Sequence, residues 1–141
     1  MHSWNICLTG AGQRELEMCT KVAKATQTTN LCDQLNWTNF VLKIQEARML
    51  ITVDTAAVHI AAASLTPTVA LYAGMNSPPM WIPPSPACKS LIKRVMCAPC
   101  FQRKGCAQMT CIRGIEVDEV YRAALSLSQK DRAIAEILSL S

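Results

Sequence analysis

Leu50-Ile-Thr-Val-Asp-Thr-Ala-Ala-Val-His-Ile-Ala-Ala-Ala-Ser64 is the stretch that decides how this chain folds. Leu50 to Val53 has the apolar, β-branched composition of a buried strand, and Met49 reads as its first residue. The run ends on an acid and a hydroxyl, Asp54 and Thr55, and an alanine-rich stretch with one histidine, His59, follows. Alanine is the strongest helix former, so a helix is expected from Thr55 to Ser64. Pro67 to Ala73, with Val69-Ala-Leu-Tyr72 at its centre, reads as the next buried strand. Strand, turn, helix and strand make one unit of an α/β protein. Such folds bind ligands where a strand's carboxyl end faces a helix N-terminus.

The segments on either side repeat this alternation. Trp4 to Thr9 reads as a short strand and Gly10-Ala-Gly12 as a turn. A helix from about Gln13 to Ala25 would carry Leu16, Cys19, Val22 and Ala23 on one stripe. Thr29 to Cys32 has the composition of a very short strand. Thr38 is the expected N-cap of a helix through Ala47, with Phe40, Val41 and Ile44 facing inward. Gly74 to Pro86 holds five of the seven prolines and reads as a loop around Trp81. Lys89 to Val95 suggests one more strand. Beyond it, Val117, Val120, Tyr121, Ala124 and Leu125 follow the spacing of an amphipathic helix, which Gln129-Lys-Asp-Arg132 is expected to interrupt. Strands alternating with helices of this length predict an α/β fold with a parallel sheet and helical crossovers. The expected organisation is one incomplete domain over residues 1–128, including a cysteine-rich loop at 96–114, and a C-terminal helical extension over 129–141.

Composition narrows the function classes. Half of the 141 residues are apolar, enough for a real core, whereas aromatics make up 5% and suggest no base-stacking surface. The net charge of +4 is scattered and forms no basic stripe, which is too weak to argue nucleic acid and fits an anionic ligand or a membrane-surface habit. No apolar run reaches the roughly 18 residues of a membrane span. With no export signal at the N-terminus, the eight cysteines are expected to be reduced thiols in a cytoplasm.

Three constellations carry chemistry. At Asp54 to His59, Thr55 would open a helix whose free N–H groups and dipole favour a phosphate, and His59, four residues on, would share its face. Asp54 could accept hydrogen bonds from sugar hydroxyls. The simpler reading makes Asp54 a helix cap and His59 a satisfied, half-buried side chain. At Gly10 to Glu15, a glycine-rich turn precedes an acid that could bind a ribose hydroxyl, or that only favours the helix start. At Cys97, Cys100, Cys106 and Cys111, four thiolates could hold zinc or an iron–sulfur cluster. They could equally be reduced thiols or a redox-labile pair, with Arg103 and Lys104 favouring the thiolate.

Taken in order, these pieces resemble glycosyltransferase family 9, the ADP-heptose:lipopolysaccharide heptosyltransferases and their relatives. Asp54-Thr-Ala-Ala-Val-His59-Ile-Ala-Ala is similar to the family's Asp-Ser/Thr-Gly-x-x-His-Leu-Ala signature. Leu8-Thr-Gly10 with Glu15, then Asn30-Leu31, precede it in the family's order. Thr66-Pro-Thr-Val-Ala-Leu-Tyr72 with Gly74, Trp81-Ile-Pro83, the Cys-x-Pro-Cys segment and the Ile115 to Val120 helix start follow it. The resemblance covers roughly residues 5 to 127.

The resemblance implies a Rossmann-like domain, the C-terminal, donor-binding half of a two-domain GT-B enzyme, truncated at its N-terminus. It implies an inverting transfer of heptose or a related sugar from a nucleotide sugar, ADP-heptose above all, to a lipopolysaccharide core acceptor. Asp54 would hold the donor sugar, Thr55 and the Ala56 backbone would meet the phosphates, and His59 would lie close by. Glu15, beside Gly10, would be the ribose contact. No cofactor is required, and the catalytic base would lie on the N-terminal half. The implied location is cytoplasmic, at most peripheral to the inner membrane. Missing parts would leave apolar surface bare, so self-association or a need for that half is expected.

Departures from the family pattern bring in two other readings. The family glycine after the hydroxyl is Ala56 here. The glycine expected shortly after Asn-Leu is replaced within Cys32-Asp33-Gln34. A first phosphate-binding strand–helix unit is missing. These favour a non-catalytic remnant, while the cysteines favour a metal or redox module on an α/β scaffold.

Overall fold

The structure is a computed structural model that describes residues 4–75, 80–102 and 106–139, with side chains up to residue 129. The chain divides into two compact units, residues 1–42 and 43–141.

In the first unit, β1 (Cys7–Leu8) pairs in parallel with β2 (Thr29–Asn30), Cys7 opposite Thr29 and Leu8 opposite Asn30. The crossover between them is α1 (Gln13–Thr26). Both strands are shorter than the sequence suggests, but backbone bonds extend the pairing: Thr29 N–H donates to the Ile6 carbonyl at 3.1 Å and Leu31 N–H to the Leu8 carbonyl at 2.8 Å. On the expected stripe of α1, Cys19 is buried and Leu16 and Ala23 are half-buried, whereas Val22 is exposed. The next helix, α2 (Trp37–Glu46), starts two residues before the expected first turn. Its cap is Asn36, whose Oδ1 accepts the Asn39 N–H at 2.8 Å, and Thr38 lies inside the first turn. Asn is as good a cap as Thr, and Asn36 stands two residues before Thr38.

The second unit is built on β3 (Leu50–Val53), β4 (Thr68–Tyr72) and β5 (Cys88–Ile92), all parallel in the order β3-β4-β5. Register sets Leu50 beside Thr68 and Thr68 beside Cys88, and each following residue steps along in line. The central strand β4 is buried along nearly its whole length, which its unbroken apolar run requires. Its two faces feed two cores. Ala70 and Tyr72 pack on Val58 of α3 (Ala56–Ala63), with Ile82 and Cys88 at the margin. Val69 packs on Ala123 and Leu127 of α5 (Val117–Ser139), joined by Met49, Leu91, Val120 and Ala124. Complete burial of a side chain such as Val58 or Val69 contributes about 1.5–3 kcal/mol.

The helix α5 departs from the sequence reading twice. Its buried stripe is Val120, Ala123, Ala124 and Leu127, while Val117 and Tyr121 are exposed. Two overlapping apolar stripes fit the same spacing, and the sheet selects the one with the small alanine at its centre. The helix also runs unbroken through Gln129 to Arg132. Those residues interrupt the apolar pattern but include no glycine or proline, so nothing stops the backbone. A short helix, α4 (Thr110–Arg113), lies inside the cysteine-rich segment expected to be loop.

Two buried threonine hydroxyls at the sheet are paired, whereas the buried Ser90 Oγ of β5 has no hydrogen-bond partner among the described residues. Thr66 Oγ1 donates to the Ile44 carbonyl at 3.1 Å, and Thr68 Oγ1 to the Thr66 carbonyl at 2.8 Å. The outer edge of β3 has no neighbouring strand among the described residues, and Ile51 and Val53 are about half exposed there.

Candidate functional site

The strand β3 delivers Asp54 and Thr55 to the carboxyl edge of the three-stranded sheet. Asp54 is anchored by its backbone, whose N–H donates to the Leu71 carbonyl at 3.1 Å. Its side chain is half-buried, and desolvation raises the carboxyl above its ordinary range while the charge of His59 pulls it back down. Thr55, in an extended conformation, occupies the N-cap position of α3, but its hydroxyl makes no capping bond. It lies 3.5 Å from the Thr52 hydroxyl instead. No side chain accepts from the N–H groups that open α3, which suits an anion, while Val58 N–H donates to the Thr55 carbonyl at 3.1 Å.

Two features of the simpler reading are not found. The cap position belongs to Thr55 and not to Asp54, and His59 is exposed, not half-buried. Ala56, in place of the glycine of the resembling family, is exposed. It is not among the left-handed residues Gln27, Asp33, Leu65, Phe101 and Met109. An ordinary helical backbone needs no glycine there, so the methyl matters only for how closely a ligand approaches.

Beneath this turn, Tyr72 is buried, and its phenol is pushed up to about 12 by desolvation, with the nearby Cys88 and Asp54 adding to the shift. It stays a neutral donor, directed at the Trp81 carbonyl at 3.5 Å. The proline loop is thereby tied loosely to β4, while the Trp81 side chain is half exposed.

The first unit holds the other expected contact, at Gly10 to Glu15. Glu15 Oε2 accepts the Ala11 N–H at 2.9 Å. Asp33 Oδ1 accepts the Gly12 N–H at 2.8 Å, and Asp33 N–H returns to the Gly10 carbonyl at 3.0 Å. Gly12 has φ +90°, a conformation that L side chains rarely adopt. A Cβ on Gly10 would stand 2.6 Å from Glu15 Oε2 and 3.1 Å from Glu15 Cβ. The turn is therefore closed by two carboxylates of its own, so its N–H groups are not free for a phosphate. A ribose hydroxyl could still donate to a remaining carboxylate oxygen of the exposed Glu15. Asp33 escaped the sequence reading. It sits at φ +58°, the left-handed conformation glycine favours and Asp tolerates, just after the Asn-Leu pair. The missing glycine has thus been replaced without loss of the backbone turn.

The cysteine-rich segment packs on the end of β4 through Gly74. Cys100 N–H donates to the Gly74 carbonyl at 3.1 Å and Phe101 N–H to that of Met75 at 2.8 Å. A Cβ on Gly74 would meet Ala98 Cβ at 2.8 Å and Cys111 Cβ at 3.3 Å. Cys97 and Cys106 are exposed, while Cys100 and Cys111 are half-buried. Among the described residues no three Cys, His, Asp or Glu side chains converge on a metal position. A tetrathiolate centre at Cys97, Cys100, Cys106 and Cys111 would require this segment to refold around the ion. Arg103 and Lys104 lie outside the described residues. A shallow cavity of about 390 Å³ lies at the start of α5, lined by Glu116, Val117, Asp118 and Arg122. Its carboxylates disfavour a diphosphate, and none of the expected site residues lines it.

Among the described residues no helix is long and apolar enough to cross a membrane. A family model described as glycosyltransferase family 9 (heptosyltransferase) matches residues 1–110. No curated protein and no solved structure matches the chain.

Proposed function

Because the chain belongs to glycosyltransferase family 9, we propose that it is the donor-binding part of an inverting glycosyltransferase. The donor is a nucleotide sugar, ADP-heptose or a close relative, and the acceptor a lipopolysaccharide core. Asp54 accepts hydrogen bonds from the sugar hydroxyls. Thr55 and the Ala56 N–H meet the diphosphate at the start of α3, with His59 four residues on as a partner for phosphate oxygen. Glu15, held beside Gly10, takes a ribose hydroxyl.

One observation carries this reading: the sheet edge at Asp54 opens a helix whose first-turn N–H groups no side chain caps. In the reaction an acceptor hydroxyl attacks the anomeric carbon, the carbon–oxygen bond to the diphosphate breaks, and the charge left on the nucleotide is stabilised by that helix start. No residue of this chain is assigned as the base that removes the hydroxyl proton. The family's chemistry needs no cofactor, and the protein works on the cytoplasmic side, at most peripheral to the inner membrane.

The non-catalytic reading draws on a different observation, the closure of the glycine turn by Glu15 and Asp33. Calorimetric titration with ADP and with ADP-heptose separates the two. Saturable binding that weakens at least tenfold in Asp54→Ala supports the donor site. A folded chain that binds neither ligand at millimolar concentration supports the remnant.

A further inference from the structure

The positive charge of this chain is unevenly divided. From Thr55 to Ile115 there is no Asp or Glu but there are six Lys or Arg, whereas outside that stretch eight basic residues face ten acidic ones. The whole excess of positive charge therefore lies between the donor turn and the start of α5. Lys93, Arg94 and Arg113 are exposed there. The one ion pair among the described residues joins Lys43 to Glu46 and involves none of them. Lys93 and Arg94 directly follow β5. The Lys93 side chain runs along Gly114, its Cγ 3.2 Å from the point a Gly114 Cβ would occupy, which brings it beside the end of α4 that carries Arg113. The acids that resume after the stretch are Glu116, Asp118 and Glu119, and Glu119 Oε2 is already engaged by the Glu116 N–H at 2.9 Å.

Large apolar side chains stand in the same loops. Trp81 is half exposed, Phe101 about two-thirds and Met96 fully. Their backbones gather at the carboxyl end of β4. The Tyr72 hydroxyl is directed at the Trp81 carbonyl at 3.5 Å. Val95 Cγ2, next to Met96, stands 3.7 Å from the point a Gly74 Cβ would occupy. Phe101 N–H donates to the Met75 carbonyl at 2.8 Å. Phe101 has φ +53°, a conformation that bulky residues rarely adopt. Its exposure is thus imposed by a backbone held in place. Single exposed apolar residues need no explanation, but three at one strand end mark an interaction surface.

The mixture decides the partner's class. Cations alone would fit any polyanion. Cations set among exposed Trp, Phe and Met fit negative charge lying on a hydrocarbon layer, where tryptophan prefers the headgroup level. We infer that the loops beyond β4 and β5 form a membrane-docking surface for anionic lipid. Trp81, Met96 and Phe101 enter the bilayer interface, and Lys93, Arg94 and Arg113 meet the lipid headgroups. This gives the peripheral location a surface and does not depend on the donor site.

The test is co-sedimentation of the whole chain, without nucleotide, with vesicles of phosphatidylglycerol and phosphatidylcholine in equal parts, and with vesicles of phosphatidylcholine alone. The expected result is binding to the anionic vesicles that falls at least about tenfold from low to high salt. Each cation near an anionic leaflet contributes about fivefold, so Lys93→Gln with Arg94→Gln should weaken binding at least about tenfold. Arg113→Gln, expected to cost about fivefold, replaces that pair should it not fold. Lys21→Gln with Lys24→Gln, on α1, should change binding by less than about twofold. Phe101→Ser should weaken it at least about fivefold, because a buried phenylalanine surface is lost. Brominated lipid should quench tryptophan emission in the parent and not in Trp81→Phe. The inference is overturned by no binding to anionic vesicles, or by equal effects of the two cation pairs. It is also overturned by binding that survives Phe101→Ser with tryptophan unquenched, which would mark a general polyanion surface that nucleic acid fills as well.

Discussion

Replacing Gly10 by alanine tests how the glycine turn is built. The new Cβ would stand 2.6 Å from Glu15 Oε2, 3.1 Å from Glu15 Cβ and 3.3 Å from Cys32 Sγ. The carboxylate is the flexible end and can swing away, but it then loses its 2.9 Å bond from the Ala11 N–H. That bond is exposed, so its loss costs about 1 kcal/mol. Glu15 Cβ cannot swing, since it is fixed to α1, and the helix must shift by a few tenths of an ångström at an overpacking cost of about 1–2 kcal/mol. The expected destabilisation of Gly10→Ala is therefore about 2–3 kcal/mol. Glu15→Ala alone should cost about 1 kcal/mol, and the double variant about 1 kcal/mol less than the sum, because the bond can be lost only once. Gly12→Ala offers the contrast. No atom lies within 4 Å of its Cβ, yet φ is +90°, so its cost of about 1–3 kcal/mol is backbone strain and should add to that of Glu15→Ala. Urea denaturation gives the global values. Hydrogen exchange of the Leu16 and Leu31 amides, bonded to Gly12 and Leu8, reports the turn itself. A Gly10→Ala chain within about 0.5 kcal/mol of the parent, or a cycle with no coupling to Glu15, would refute the reasoning.

Three other outcomes follow from the second unit. The Asp54 carboxyl is raised in the folded chain, so the folded state holds its proton more tightly than the unfolded one. That contribution to stability is complete below the ordinary value of 3.8 and is lost as pH rises through the folded value. Thermal melting should therefore show Asp54→Asn more stable than the parent at neutral pH, with the gap closing in acid; a gap that widens in acid would reverse the sign. Leu127→Ala should cost about 2–4 kcal/mol in urea denaturation and Tyr121→Ala no more than about 0.5, because only the first side chain faces the sheet. Equal costs would mean the helix presents the other stripe. Finally, β3 carries no charged residue and bares Ile51 and Val53 at an edge without a neighbouring strand among the described residues. Light scattering should find concentration-dependent association that Val53→Lys suppresses, and a parent monomeric at high concentration would remove this expectation.

How much was legible depended on whether one local signal pointed to one answer. The run from Leu50 to Tyr72 combined a β-branched segment, a hydroxyl, an alanine helix and an apolar run. Strand, helix and strand lie there within a residue or two of expectation. Where two residues could play one part, the sequence left the choice to packing. Asn36 capped α2 in place of Thr38, and Ala123 with Leu127 displaced Tyr121 from the buried stripe of α5. Polar residues at 129–132 were mistaken for a break because pattern was weighed above backbone freedom. Asp33 could not be found from its own residue type. Its part depends on a left-handed φ and on a Gly12 N–H twenty-one residues earlier in the chain. The four clustered cysteines gave a spacing but no geometry.

The donor site is tested most directly by nitrogen–proton NMR of the labelled chain titrated with ADP and ADP-heptose. The account predicts that amide shifts concentrate at Asp54 to His59, with a second set at Gly10 to Glu15 that responds to the nucleoside. The first set should vanish in Asp54→Ala and His59→Ala chains that remain folded. Shifts confined to the start of α5, shifts that survive both substitutions, or a folded spectrum that no ligand moves would contradict it.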